Sequence, residues 1–189
     1  MQGGQRTHRP VTLFLGLTTF FALIYGVNNA LTSFLLLVPG AHLVHIPSGF
    51  KLLLVLICGW TAALGIGLVS FVAGAFFSFE GLYLLSFELA LVNAAAPLLT
   101  RRFFVDHFSL DATLVNLNWH RLLGVSLLYA ALNSCMNQLV IYYNQVSTSL
   151  LDGLLVMWLG DITGILIVLM VCQSLARRLA PRLARPLIP

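Results

Sequence analysis

Five long apolar stretches make up most of this chain, and their length constrains its fold more than any other feature. They cover residues 11–38, 49–78, 82–99, 122–143 and 153–175. A helix needs about 20 predominantly apolar residues to cross the hydrocarbon core of a bilayer. Only 8% of the residues are charged, whereas soluble proteins carry about 25%. The sequence therefore predicts an all-α fold, a polytopic transmembrane helical bundle in a lipid bilayer.

The second stretch, residues 49–78, decides the number of spans, because it is long for one span and short for two. If the chain turns near Gly59 and Trp60, both termini and the loop over residues 101–121 lie on the cytoplasmic side. Every basic residue except Lys51 then lies inside, as the positive-inside rule expects. We therefore predict about six spans, of which the second and third are short, tilted or partly re-entrant.

This topology divides the chain into three segments. Residues 1–10 are a cytoplasmic N-terminal segment, residues 11–176 the transmembrane helical domain, and residues 177–189 a basic cytoplasmic tail. The tail combines prolines, which predict a poor helix, with arginines that suit a contact with anionic lipid. Because the basic residues lie at helix ends and not in a patch with interleaved aromatic residues, we predict no nucleic-acid binding.

The predicted third span carries small side chains at helical spacing. This spacing lets a neighbouring helix approach closely in a membrane. We assign these residues to packing and to no chemistry; they are Ala63, Gly67, Ser70 and Gly74.

Polar side chains within the apolar stretches are the main candidates for a functional site, because polar groups in lipid are costly. At about 1.5 Å per helical residue, most of them lie roughly 8–15 Å below the outer surface. Two of them, four residues apart, share one helix face. The predicted ligand-binding residues are Asp161, Glu88, Asn133, Asn137, Asn29 and Gln138, with Asn28 at a similar depth and Asn93 deeper.

Two interpretations of this polar group are open. The side chains either tie the helices together by hydrogen bonds, or they line an outward-facing pocket for a small polar ligand, an ion or water. The amide side chains favour the first interpretation. For Glu88 and Asp161 the pocket interpretation is at least as strong as the structural one, since charge in the bilayer is costly. We expect no Lys or Arg at that depth. At least one carboxyl group is therefore expected to be protonated, hydrated or neutralised by a bound cation.

Catalytic and metal chemistry find little support in the sequence. The three cysteines show no CxxC spacing, and the histidines show no metal-ligand pattern with a carboxylate. No nucleophile with a matching base can be assembled from the apolar stretches. We therefore predict a non-enzymatic protein without a metal site, and the cofactors stay undefined.

Two short segments carry a more specific signal. In the first, Ile46, Pro47, Ser48 and Gly49 precede a short apolar helix that ends at Gly59 and Trp60. The second runs Trp158, Leu159, Gly160, Asp161, Ile162, Thr163 and Gly164. Together they resemble the MASE1 family of bacterial membrane-associated sensor domains, which has a proline–x–glycine start to an early helix and a late Trp-x-Gly-Asp-x-x-Gly helix. The resemblance extends loosely from about Leu13 to Arg178. The motif residues matched are Pro47, Gly49, Trp158, Gly160, Asp161 and Gly164.

The resemblance implies an integral module of the bacterial inner membrane that provides input to signalling proteins such as histidine kinases and cyclic-di-GMP enzymes. Domains of the family usually have more helices and are fused to a cytoplasmic output domain. Here about six spans are predicted, followed by the basic tail. We therefore expect any signal to pass to a separate protein partner, a signalling enzyme or a membrane complex.

Our first hypothesis is a non-enzymatic sensory or accessory subunit whose polar pocket is read by a partner across the membrane or at the 101–121 loop. One alternative is the substrate-binding membrane subunit of an importer of the energy-coupling-factor type, which would bring a tightly bound small molecule and ATPase partners. Another alternative is a structural subunit of a larger membrane complex, in which the polar residues serve assembly alone.

Overall fold

The computed structural model describes residues 8–32, 36–38, 41–42, 44–108, 119–147 and 149–183. Its helices are α1 (His8–Thr32), α2 (Ile46–Cys58), α3 (Trp60–Ala73), α4 (Tyr83–Phe108), α5 (Trp119–Tyr143) and α6 (Leu150–Leu183). A short antiparallel pair, β1 (Leu36–Val38) with β2 (Ala41–His42), lies between α1 and α2, and a π-helical turn (Gly74–Ser78) follows α3. The predicted helical bundle of about six helices is confirmed.

Five of the described helices are long and apolar enough to cross a membrane. α2 is shorter: its 13 residues cover about 20 Å at 1.5 Å per residue, against about 30 Å of hydrocarbon core. It corresponds to the short second span of the prediction. The five long segments are Pro10–Leu31, Trp60–Ser78, Tyr83–Phe108, Trp119–Tyr143 and Leu150–Cys172.

One residue, Gly59, separates α2 from α3. Its φ of 58° lies in the left-handed region that favours glycine. The Gly59 N–H donates to the carbonyl of Val55 at 2.9 Å, and the Gly59 carbonyl accepts from the N–H of Ala63 at 3.2 Å. A single glycine therefore ends one helix and begins the next, which confirms the predicted turn at this place.

α2 lies at the centre of the bundle, where it contacts all five other helices. Leu52 and Leu56 pack with side chains of α4, α5 and α6, while Val55 packs with side chains of α1 and α3. Lipid is as apolar as these side chains, so close packing and hydrogen bonds hold the helices together. The shortest helix is consequently the one that joins the others.

α1 lies at the edge of the bundle and packs on α2 and α3. Phe21 and Asn28 are its buried side chains. The apolar stretch that contains α1 extends to residue 38, but the helix ends at Thr32 and Leu36–Val38 form β1. The 22 residues Pro10–Leu31 already suffice to cross a bilayer, so the last residues of the stretch are not needed for the span.

The last helix, α6, continues to Leu183. The prediction of a poor helix in the basic tail is therefore wrong up to that residue. Leucine, alanine and arginine fill most of this segment, and all three are strong helix formers. Residues 184–189 of the tail, residues 1–7 of the N-terminal segment and residues 109–118 of the predicted cytoplasmic loop lie outside the described residues.

Glycines mark the closest helix contacts. A Cβ at Gly67 would lie 3.4 Å from Ala94 Cβ, and one at Gly74 would lie 3.0 Å from Ser86 Cβ, so the predicted close packing of the third span is confirmed. Between α2 and α6 the approach is closer still. A Cβ at Gly49 would lie 2.7 Å from Val168 Cβ and 2.9 Å from the carbonyl oxygen of Gly164.

Alanine at Gly49 tests the contact between α2 and α6. We expect Gly49→Ala to reduce the free energy of unfolding by about 1–3 kcal/mol, the usual cost of overpacking a filled interior. The measurement is unfolding of the purified protein in detergent. Gly26→Ala is the matched control, because a Cβ at Gly26 has no neighbour within 4 Å. Equal losses in both variants would contradict the contact.

Labelling of single cysteines tests the path of the chain through the membrane. In a variant whose three native cysteines are replaced by serine, we expect Glu80→Cys and Gln145→Cys to react with an impermeant maleimide in intact cells. Arg102→Cys is expected to react only after permeabilisation, since the predicted topology places this end of α4 on the cytoplasmic side. All three side chains are exposed on the surface of the protein. A signal from Arg102→Cys in intact cells would reject this topology.

Candidate functional site

Asp161 of α6 is the centre of a buried hydrogen-bond network and is 1% exposed. Its Oδ1 accepts from the hydroxyl of Ser48 on α2. Its Oδ2 accepts from Nδ2 of Asn133 on α5 at 2.7 Å. The Ser134 hydroxyl lies 3.4 Å from the same oxygen and also donates to the carbonyl of Ala130 at 2.7 Å. One carboxyl group thus connects three helices.

Asn137 holds Asn133 in place. Its Nδ2 donates to the backbone carbonyl of Asn133 at 2.9 Å and lies 3.1 Å from the side-chain oxygen of the same residue. This leaves Nδ2 of Asn133 directed at Asp161. The prediction that Asn133 and Asn137 share a helix face is confirmed; Asn133 contacts Asp161, and Asn137 contacts Asn133.

Lys51 belongs to the same region, which corrects two expectations. The sequence places Lys51 on the outer side and expects no Lys or Arg at the depth of the carboxyl groups. In the structure Lys51 is 3% exposed, and its Nζ donates to Oδ1 of Asn93 on α4 at 2.7 Å. Lys51 lies three residues after Ser48, on the same helix face. This spacing is the signal that could have placed Lys51 in the interior of the bundle.

Lys51 and Asp161 interact electrostatically without touching. The one ion pair with N–O contact that the structure shows among its described residues joins Arg102 and Asp106 at the surface. Lys51 is held by an amide, and Asp161 by a hydroxyl and an amide. Buried charges are costly unless they are paired and hydrogen-bonded, so both are only partly compensated. We call Ser48, Lys51, Asn93, Asn133 and Asp161 the buried polar centre.

Tyr129 of α5 adds a hydroxyl group to the buried polar centre. Its side chain is fully buried, and its hydroxyl lies close to Ser48 and Asp161 without forming a hydrogen bond of standard geometry. Two of the three ammonium protons of Lys51 are without an acceptor among the described residues. The centre therefore has unused donor capacity on Lys51, and can take up an additional acceptor group.

Two other predicted site residues lie apart from Asp161. Gln138 is buried between α5 and α6, where Gly153 leaves room for its side chain and Nε2 approaches the sulfur of Met157 at 3.9 Å. Asn29 is exposed on α1. Its neighbour Asn28 is buried, and Oδ1 of Asn28 accepts from the N–H of Ile46 at 3.1 Å. Asn28 thereby binds the first turn of α2.

Glu88 also lies in a different place from Asp161. Its Oε2 accepts from Nδ2 of Asn144 at 2.8 Å, and the two residues line a surface groove where α4 begins and α5 ends. Among the described residues, Glu88 and Asp161 share no hydrogen-bond partner. The predicted pocket residues therefore do not form one pocket: Asp161, Asn133 and Asn137 lie together, whereas Glu88 lies in the groove.

The motif residues pack against one another. Pro47 lies in the first turn of α2. Backbone N–H groups make no intrahelical hydrogen bond there, so the lack of an N–H in proline costs nothing. The carbonyl of Gly160 accepts from the N–H of His45 at 3.1 Å, and a side chain at Gly164 would collide with the His45 carbonyl. Trp158 packs against the core around Tyr129. Both segments that carry the family resemblance thus meet at the start of α2.

The chemistry of the centre is that of charge and hydrogen bonding. Among the described residues there is no group of three or more His, Cys, Asp and Glu side chains that could hold a metal ion. The groups present are one ammonium, one carboxyl, two amides and hydroxyls from Ser48 and Tyr129. Such a set can bind or release a proton, or hold a small polar molecule between α2, α5 and α6.

A double-mutant cycle tests the coupling of Lys51 and Asp161. We expect Lys51→Met and Asp161→Asn each to cost about 2–3 kcal/mol of unfolding free energy, because each leaves the other charge buried and uncompensated. The double variant is expected to lose about 1–2 kcal/mol less than the sum. The measurement is unfolding in detergent, with Asp106→Asn as a surface control expected within about 0.5 kcal/mol of the parent. Strict additivity would contradict the coupling.

Comparison with known proteins adds no relative: the chain matches no protein-family model, no curated protein and no solved structure.

Proposed function

We propose that this chain is a non-enzymatic sensory or accessory subunit of the bacterial inner membrane that acts through a separate partner protein. The observation that carries the proposal is the separation of Lys51 and Asp161. An amine and a carboxyl group are buried on neighbouring helices, and each is held by neutral groups instead of by the other. Ionisable groups in a membrane interior are retained mainly where function needs them.

In this proposal the bundle has a second arrangement, in which Lys51 and Asp161 form an ion pair. If Lys51 leaves Asn93 and pairs with Asp161, the gain in Coulomb energy offsets the loss of the amide contact. A proton, a small polar ligand or a partner that favours one arrangement shifts the population towards it. The buried hydroxyl of Tyr129, close to Ser48 and Asp161, provides a further contact that would differ between the two arrangements.

The site is closed in the structure, with Ser48, Asn133 and Asp161 all at most 2% exposed. Ser48 lies in the first turn of α2, on the predicted outer side. A ligand from outside therefore reaches the centre when the start of α2 separates from α6. Such a movement would break the bond from the His45 N–H to the Gly160 carbonyl.

The position of α2 and the length of α6 supply a route for the signal. α2 contacts every other helix, so a shift of Lys51 alters the packing of the whole bundle. α6 carries Asp161 and continues from the end of its apolar span at Cys172 to Leu183. A continuous helix transmits tilt or rotation to its end, which makes this segment the proposed contact for a partner.

The resemblance to MASE1 domains agrees with this proposal. The matched residues Pro47 and Gly49 lie on α2, while Gly160, Asp161 and Gly164 lie on α6. These residues form the contact that would have to open. The proposal therefore places the input of the subunit where the two matched segments meet.

Isolation of the chain with its partners tests the function. The tagged protein is extracted gently from its native membrane, and co-purifying proteins and small molecules are identified by mass spectrometry. We expect a signalling enzyme or a membrane complex at constant stoichiometry. We expect Asp161→Asn to change the output of that partner at least several-fold while the two proteins still co-purify.

The control is Asp106→Asn, which removes an exposed carboxylate on α4 and is expected to leave the partner's output unchanged. ATPase partners together with a stoichiometric small molecule would replace this proposal with a substrate-binding subunit of an importer. Loss of co-purification in Asp161→Asn with normal output of the remaining complex would assign the centre to assembly alone.

A further inference from the structure

A surface groove beside Glu88 lies apart from the buried polar centre. It has a volume of about 350 Å³, within the range of small-molecule sites. It lies where α4 begins and α5 ends, in the outer half of the membrane in the predicted topology. Its lining residues are Glu88, Leu139, Val140, Tyr142, Tyr143 and Asn144.

The polar end of the groove offers acceptors and negative charge. Asn144 uses its Nδ2 to donate to Glu88 Oε2 at 2.8 Å and to the carbonyl of Val140 at 2.9 Å. Oε1 of Glu88 and Oδ1 of Asn144 have no hydrogen-bond donor within the described parts of the chain. No Lys, Arg or His of those parts forms an ion pair with Glu88. A ligand that fits this end carries positive charge and several N–H donors.

The aromatic side chains suit the same ligand. Tyr142 and Tyr143 are 48% and 88% exposed and line the groove next to the carboxylate. Ring faces attract ammonium groups, and a tyrosine hydroxyl can donate to a phosphate oxygen. A carboxylate beside two phenol rings therefore matches an ammonium that is linked to a phosphate.

The apolar end of the groove identifies the source of that ammonium. Leu139 is 55% exposed and lies one helical turn below Tyr143 on a span that faces lipid. The groove is thus continuous with the surface that acyl chains cover. A soluble amine would leave this apolar end empty, whereas a phospholipid fills both ends.

We propose that this groove binds a phospholipid with a primary ammonium headgroup, that is phosphatidylethanolamine, through Glu88 and Asn144. The ammonium donates to the free oxygens of both residues, and its charge is balanced by the Glu88 carboxylate. The Tyr142 and Tyr143 rings flank the headgroup, and one acyl chain lies along Leu139. Primary ammonium is preferred to quaternary ammonium because the two acceptors require N–H donors.

Native mass spectrometry of the full, delipidated chain with defined lipids tests this site. We expect one tightly bound phosphatidylethanolamine, and an affinity that falls as its amine is methylated in steps to phosphatidylcholine. Methylation keeps the positive charge and removes the N–H donors one by one. A roughly ten-fold loss across the series is expected for the removed charge-assisted hydrogen bonds. Equal binding of phosphatidylethanolamine, phosphatidylcholine and phosphatidylglycerol would overturn the proposal.

The variant Glu88→Gln locates the site. It keeps the size and the hydrogen bond to Asn144 while removing the charge, and we expect it to bind phosphatidylethanolamine roughly ten-fold more weakly than the parent. Glu80→Gln is the matched control, because Glu80 is an exposed acid at the same end of the bundle. Unchanged binding in folded Glu88→Gln, or an equal loss in Glu80→Gln, would overturn the proposal. Free ethanolamine as an effective competitor would assign the site to soluble amines instead.

Discussion

A charge inside a lipid-embedded bundle has to be compensated by the protein itself, and the arrangement around α2 follows from this requirement. Lys51 is surrounded by helices and not by water, so its ammonium depends on Asn93 and on the nearby carboxyl group of Asp161. Asp161 in turn depends on Ser48 and Asn133. These contacts run from α2 to α4, α5 and α6, and the shortest helix is thereby fixed by polar contacts that the longer helices supply.

The glycines at the contact of α2 and α6 make this compensation possible. Gly49 and Gly164 let the two backbones approach until no side chain fits between them. At that distance the short side chain of Ser48 reaches Asp161 directly. Close packing and charge compensation are therefore two results of the same contact, and a larger residue at either glycine would weaken both.

Much of the fold could be predicted from the sequence, because span length, glycine at a turn and the distribution of arginine are local properties. The break at Gly59 and the shared face of Asn133 and Asn137 are of this kind. The burial of Lys51 is not, since a lysine near the end of an apolar stretch ordinarily anchors a helix at the interface. Its place depends on partners that are distant in sequence.

The separation of Glu88 from Asp161 likewise could not be predicted from the sequence. Depth in the membrane groups Glu88 with Asp161, but depth does not determine the rotation of each helix about its axis. That rotation turns Asn28 towards the bundle and Asn29 away from it. It also turns Glu88 towards Asn144 and the groove. Residues predicted at one depth thus lie in two separate surroundings.

The dependence of α2 on distant partners has a consequence for biosynthesis. A helix of 13 residues with a lysine near its middle satisfies neither the length nor the polarity that stable insertion requires. The partners of Ser48 and Lys51 follow 113 and 42 residues later in the chain. We therefore expect α2 to reach its final position only after α4 and α6, which carry these partners, have been synthesised.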